Sequence, residues 1–348
     1  VSLLTSKPEK WNNNLSVLAQ DGTLKYTSPV KYITDSPKKV IPDADIIIST
    51  VPSHVFPVYV DKIKKFIAKD TWIGVIPGSG GKEFYIEELI NKGCIFFGFQ
   101  RVHAIARIKE YGFSVYELGR KTELFISSIP STKALDICLF FERIFKIKCT
   151  PLPNYLNITL TPSNPILHTV RLYDLFKDFS QSSSWDKPMD FYSEWTDEAS
   201  NLLIKCDEEL QLLCSTLSKH KLSMVGVKSL KEHYESYTPQ EMTNKIKNIA
   251  AFKGIKAPMI CRGTKYIPDF NSRYFLEDFP FGLCIIKGFC LVANIPTPYI
   301  DKILDWYQRM RNTEYFVNHS LTENAKVLPL PQNFNIQSLE QIIDYYNR

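Results

Sequence analysis

Arg273 stands five residues before Asp278 in the run NSRYFLEDFPFGL (Asn271–Leu283), and the side chains of Tyr274, Phe275, Phe279 and Phe281 enclose the pair. On a helical turn or a tight loop, a cation and a carboxylate at that spacing project toward one side. They can then grip different ends of one small polar molecule. A partly buried structural ion pair at a helix start is the other reading of the same residues. A second stretch, TPSNPILHTV (Thr161–Val170), carries Asn164, Pro165 and, three residues on, His168. Proline at a first helical position after a polar residue marks a helix start, so His168 is expected in the first turn, beside the amide-rich end. An imidazole there can exchange protons, although a lone histidine on an apolar segment also serves as a cap or core residue. The six histidines, His54, His103, His168, His220, His233 and His319, have no i,i+4 partner and no Cys pair, so no metal site is expected.

Two kinds of element must position these groups. Through the first half, apolar runs end in turns and lead into amphipathic segments. Val1–Leu4 is followed by a turn, with Trp11–Val17 read as helix or turn; then come Leu24–Tyr32 and DIIISTV (Asp45–Val51), read as a strand buried on both faces. A helix is expected from Val55 to Ala68, a strand over Thr71–Ile76, the turn Pro77–Gly81, a helix over Glu83–Lys92 and a strand over Cys94–Phe99. Strand, turn and helix repeating this way indicate a doubly wound, Rossmann-like α/β domain whose ligand lies at the carboxyl ends of the strands. The turns Thr50-Val51-Pro52-Ser53 and Gly78–Gly81 occupy those ends and are the cofactor-facing candidates, with a simple connection as the other reading. Period-2 alternation around Gly112 and Gly119 reads as a hairpin of Ser114–Leu118 with Lys121–Ile129, followed by a helix over Lys133–Phe145. His103 and Arg107 lie near a strand end, with solvated surface as their plainer reading.

A Pro-rich joint at Thr150–Pro153 sets the expected boundary, residues 1–152 against 153–348, and the joint Thr150–Asn154 is expected to hinge. Beyond it strands are expected to disappear, with helices over Pro165–Phe176, Trp195–Leu217, Pro239–Ala250, Tyr299–Arg311 and Asn335–Tyr346. The chain has 348 residues, 44% hydrophobic and 23% charged, enough for two domains, and its formal charge of +5 is dispersed. Neither nucleic acid nor a membrane surface is expected as a partner; an anionic cofactor or substrate accounts for the charge. The eight cysteines lack any C-x-x-C pair and read as reduced core thiols of a cytoplasmic protein.

Taken together, Asn-Pro-x-x-His at Asn164–His168 and Arg-Tyr-x-x-x-Asp-x-Pro-x-Gly-Leu at Arg273–Leu283, about a hundred residues apart, resemble the C-terminal helical domain of the octopine/nopaline (opine) dehydrogenase family. The resemblance extends from the first residues to Gln308 and includes Arg101–Gly119. It implies an all-helical second domain of the 6-phosphogluconate dehydrogenase C-terminal type and an active site in a cleft between domains. The implied reaction is NAD(P)H-dependent reductive condensation of an amino acid with an α-keto acid, a dehydrogenase chemistry on CH–NH donors. By the same resemblance His168 moves protons, Asp278 orients it, Arg273 holds the keto-acid carboxylate, and Asn164 and Arg101 contact substrate. A 2- or 3-hydroxy-acid dehydrogenase and a non-catalytic homologue binding a metabolite or partner stay open, as do monomer and homodimer.

Where the second strand of such a domain meets the adenosine ribose, this chain has Thr5, Ser6, Lys7 and Lys10, with no acid before Glu9. A free 2′-hydroxyl is met by Asp or Glu and a 2′-phosphate by basic or hydroxyl groups, so Ser6 and Lys7 favour NADP over NAD, with an ordinary basic turn as the other reading of the same residues. The chain lacks the opening strand, Gly-x-Gly-x-x-Gly turn and helix, a unit of roughly 30 residues. Two expectations follow: the natural protein carries that unit before Val1, or the unit is lost and strands Val1–Leu4 and Asp45–Val51 pair directly.

Overall fold

Alternating apolar runs and turns do become strands and helices in the first half of the chain. A computed structural model describes all 348 residues and divides them into two units, Val1–Gly78 with Tyr85–Tyr155 and Ser79–Phe84 with Leu156–Arg348. In the first unit the strands are β1 (Ser2–Leu4), β2 (Asn14–Leu18), β3 (Leu24–Pro29), β4 (Tyr32–Thr34), β5 (Ile46–Ser49), β6 (Trp72–Val75), β7 (Ile95–Phe99), β8 (Ala104–Glu110), β9 (Ser114–Arg120), β10 (Glu123–Ile129) and β11 (Lys148–Pro151). Its helices are α1 (Phe56–Ile63), α2 (Glu87–Asn91) and α3 (Ala134–Phe145). The main sheet runs β11-β10-β7-β6-β5, with β5, β6 and β7 parallel, β10 antiparallel to β7, and β11 parallel to β10. Phe97, Phe99, Leu124 and Ile126 of the sheet pack on Ile137, Cys138 and Phe141 of α3 to form the core.

Several expectations are corrected. Trp11–Val17 is neither helix nor turn: residues 14–18 form β2, one of the two inner strands of a second sheet ordered β3-β2-β9-β8. The hairpin is β8 with β9, closing around Gly112, whereas β10 joins the main sheet. The strand inside DIIISTV is not buried on both faces. β5 is an edge strand bonded only to β6, and Ile48 is 44% exposed. β1 pairs in parallel with β4 in a two-stranded sheet, and β1 and β5 do not pair with each other.

The second unit contains α4 (Leu156–Thr159), α5 (Ser163–Phe176), α6 (Asp197–Lys219), α7 (Leu230–Tyr234), α8 (Pro239–Asn248), α9 (Cys284–Val292), α10 (Pro298–Arg311) and α11 (Leu339–Tyr346). A π-helix, Tyr274–Leu283, runs directly into α9. Strands do not vanish here: β12 (Met259–Arg262) with β13 (Lys265–Pro268), and β14 (Phe316–Val317) with β15 (Ser320–Leu321), make two small hairpins. The helices start where side-chain oxygens take their first amides. Thr196 accepts from Ala199 N at α6, and Thr238 and Glu241 form a capping box at α8. Glu209 of α6 accepts the amides of Tyr299 and Ile300 at the start of α10, tying two long helices together. No helix is long and apolar enough to cross a membrane.

The segment Ser79–Phe84 leaves β6 and packs with the helical unit. Glu83 is fully buried, and its carboxylate accepts from Thr159 Oγ1 and, at 2.7 Å, from Tyr346 Oη of α11. Phe84 stacks on Phe334 at 4.9 Å. Gly81 adopts φ +66°, and a Cβ there would stand 2.7 Å from the Pro329 carbonyl oxygen, so the glycine is required by packing.

Candidate active site

His168 and Asp278 meet because α5 and the π-helix pack closely at a proline and a glycine. Pro165 lies against Gly282, where a Cβ would come within 3.1 Å of the proline ring. α5 starts at Ser163 rather than Pro165, so His168 sits in its second turn and not its first; the N-cap is Pro162. One turn along, its Nδ1 lies 2.8 Å from Asp278 Oδ2, and its Nε2 lies 3.0 Å from Tyr192 Oη. Both side chains of the first pair are largely buried, 12% and 18% exposed. Burial pushes the Asp278 carboxyl above the usual carboxylate range, and its bond to His168 opposes that shift. An ionised carboxylate only accepts, so Nδ1 carries the hydrogen and Nε2 is left to exchange protons.

The spacing of Arg273 and Asp278 acquires a cause in the π-helix. Its i→i+5 bonding stacks residues five apart, so Arg273, the N-cap, and Asp278 lie along one side, and Arg273 opposes the burial shift of Asp278. Pro280 lies inside this helix and has no amide hydrogen to give the carbonyl of Phe275. That oxygen instead accepts a 3.0 Å hydrogen bond from Tyr307 Oη. Arg273 is exposed and fits a ligand carboxylate; Asn164 is exposed in the first turn of α5.

Two residues were not foreseen. Tyr192 sits in an irregular loop with no motif to mark it. Lys82 follows the glycines of Gly78–Gly81, a position that is a usable signal, and is only 5% exposed. Burial lowers the Lys82 ammonium to about 8; Glu277 and Glu83 hold it up and Arg273 pushes it down, so Lys82 shares its charged surroundings with the Arg273–Asp278 helix.

In the first unit, Ser6 and Lys7 follow β1 and Thr50, Val51, Pro52 and Ser53 follow β5, the carboxyl ends of parallel strands. Ser6, Lys7 and Thr50 are exposed. Arg101 follows β7 in the same unit. His103 is not a solvated surface group: its ring stacks on Phe145 at 4.5 Å, and burial lowers its basicity. Arg107 is exposed, with its guanidinium on the Ala106 carbonyl. No group of three or more His, Cys, Asp and Glu side chains is arranged to hold a metal ion.

Comparison with known proteins finds relatives along most of the chain. A tauropine dehydrogenase of Arabella iricolor is 27% identical over 99% of this chain and 92% of its own, and an opine dehydrogenase of Haliotis discus hannai is 26% identical over 99% and 91%. An octopine dehydrogenase structure containing NADH and L-arginine superposes with a TM-score of 0.86 at 24% identity, covering 99% of this chain and 90% of that one. Residues 151–311, which contain Asn164, His168, Arg273 and Asp278, match the family described as NAD/NADP octopine/nopaline dehydrogenase, alpha-helical domain. That match places the helical domain, residues 151–311, in the octopine/nopaline dehydrogenase family.

Proposed function

We propose that the protein catalyses the NAD(P)H-dependent reductive condensation of an amino acid with an α-keto acid, giving a secondary-amine dicarboxylate. The observation that carries this reading is the 2.8 Å His168–Asp278 pair, with Arg273 five residues before Asp278 on the same π-helix. The nicotinamide supplies the hydride. Arg273 grips the keto-acid carboxylate, its planar fork matching two oxygens. Asp278 fixes the tautomer of His168, which takes a proton from the incoming amine and returns it to the departing oxygen. Asn164 offers an amide to the substrate, and Arg101 a second cation for a carboxylate. Ser6 and Lys7 receive the 2′-phosphate of NADP, the favoured cofactor over NAD, while Thr50–Ser53 line the dinucleotide.

The test is amine dependence. Amino acids are screened with pyruvate and other keto acids under NADPH and NADH, and oxidation of the nicotinamide is expected only when both substrates are present. Keto-acid reduction without an amine would make the protein a hydroxy-acid dehydrogenase, and no change in nicotinamide fluorescence on titration would make it a non-catalytic binder. His168→Ala is expected to lower turnover by about 100-fold or more with cofactor binding kept. Arg273→Ala should act chiefly on the keto-acid KM.

A further inference from the structure

Both ring nitrogens of His168 are taken. Asp278 holds Nδ1 at 2.8 Å and Tyr192 Oη stands 3.0 Å from Nε2, the nitrogen left for proton exchange. A substrate proton therefore reaches the imidazole either by displacing Tyr192 or by passing through its hydroxyl.

Displacement is opposed by how Tyr192 is held. Its side chain is 4% exposed and stacks on Phe252 at 4.0 Å, lies parallel to Trp195 at 6.3 Å and meets Phe191 edge-on at 4.8 Å. The two residues before it are clamped by their backbone carbonyls from α5 by Arg171, one turn beyond His168. The Arg171 guanidinium donates to the carbonyls of Phe191 at 2.6 Å and Asp190 at 3.0 Å, binds Asp174 at 2.7 Å, and lies over the Trp195 ring. The same helix thus carries the imidazole and fixes the loop that caps it. Passage through the hydroxyl needs no heavy atom to move, because its hydrogen rotates about the C–O bond. The hydroxyl donates to a neutral Nε2 and accepts from a protonated one.

We propose that Tyr192 is the proton relay between His168 and the substrate, an inference that rests on the condensation chemistry proposed above. As the amino acid's ammonium loses a proton, an N–H bond breaks and an O–H bond forms at Tyr192. The tyrosine's own O–H bond breaks as N–H forms at Nε2. Reversed, the relay returns that proton to the oxygen that leaves as water; the second proton of that water comes from the same nitrogen, leaving one on the product amine.

Tyr192→Phe deletes the oxygen and keeps the stacked ring and the Arg171 clamp. Its kcat is expected to fall by about 10-fold or more with nicotinamide binding unchanged. Replacing Tyr192 by a ring-fluorinated tyrosine, whose phenol is more acidic, keeps the oxygen and is expected to change kcat and its solvent isotope effect. Wild-type or faster turnover in Tyr192→Phe would overturn the relay, being the result displacement predicts. A loss in Tyr192→Phe with an unchanged rate in the fluorinated enzyme would also overturn it, because the hydroxyl would then only orient the ring. If His168→Ala is silent, the parent reading fails; if His168→Ala is impaired and Tyr192→Phe is not, only the relay fails.

Discussion

Removing the Tyr307 hydroxyl should cost far more than a hydroxyl on a helix surface, because it serves a carbonyl that the π-helix cannot serve itself. Tyr307 and Phe275 are 2% and 0% exposed, and the hydroxyl reaches the Phe275 oxygen at 3.0 Å. With Pro280 in the helix, Tyr307→Phe leaves that oxygen buried and unpaired, a cost of ~1–3 kcal/mol. The ring remains, stacked on Phe279 at 4.1 Å, so packing is preserved and the loss is that of the hydrogen bond. Pro280→Ala restores a backbone donor for the same carbonyl. In that background Tyr307→Phe should cost ~0.5 kcal/mol or less, leaving a coupling energy of ~1–2 kcal/mol. Urea midpoints for the four proteins of the cycle, followed by tryptophan emission with Trp306 as neighbour, measure it. Equal costs of Tyr307→Phe in both backgrounds would refute the account of the missing amide.

Asp207 provides a pH test. It is 2% exposed, and burial lifts its carboxyl to about 7 despite the bond from Leu230 N at 2.7 Å. The folded state then holds the proton more tightly than the unfolded chain, so stability is complete below the unfolded value of about 4 and falls as pH rises toward 7. Asp207→Asn should flatten this slope, by on the order of 2 kcal/mol between pH 5 and 7; parallel stability profiles for the two proteins would reject it. Thiol labelling should find one fast-reacting cysteine, Cys261, because the other seven are buried, and a second fast thiol in the folded protein would contradict the packing.

What could be read from the residues alone was what is local. The apolar runs at Ile46–Ser49, Trp72–Val75 and Ile95–Phe99 became parallel strands, and the residues of the two motifs, Asn164–His168 and Arg273–Leu283, came together as a hydrogen-bonded pair. What escaped was set by distant partners. Residues 14–18 are a strand held on one side by the neighbouring β3 and on the other by β9, nearly a hundred residues later, and no local period reports that second partner. The segment Met259–Pro268 was missed because a four-residue strand beside a turn carries too little pattern to separate from loop. Tyr192 is positioned by Arg171 and by aromatic neighbours rather than by its own sequence context. The π-helix was invisible because its proline argues against any helix until a tyrosine from α10 supplies the missing donor.

The excursion of Ser79–Phe84 makes the order of the chain differ from the order of its assembly. A polypeptide beginning at Leu156 would contain every helix that bears His168, Arg273 and Asp278, yet the hydroxyls of Thr159 and Tyr346 would have lost the carboxylate they share, and Phe334 the ring stacked on it. Six residues from the chain between β6 and α2 complete that interior. Cutting the gene at the proline-rich joint would therefore yield a fragment lacking part of its own core, and recombination between relatives would keep both halves sound only if the loop after β6 travelled with the helices.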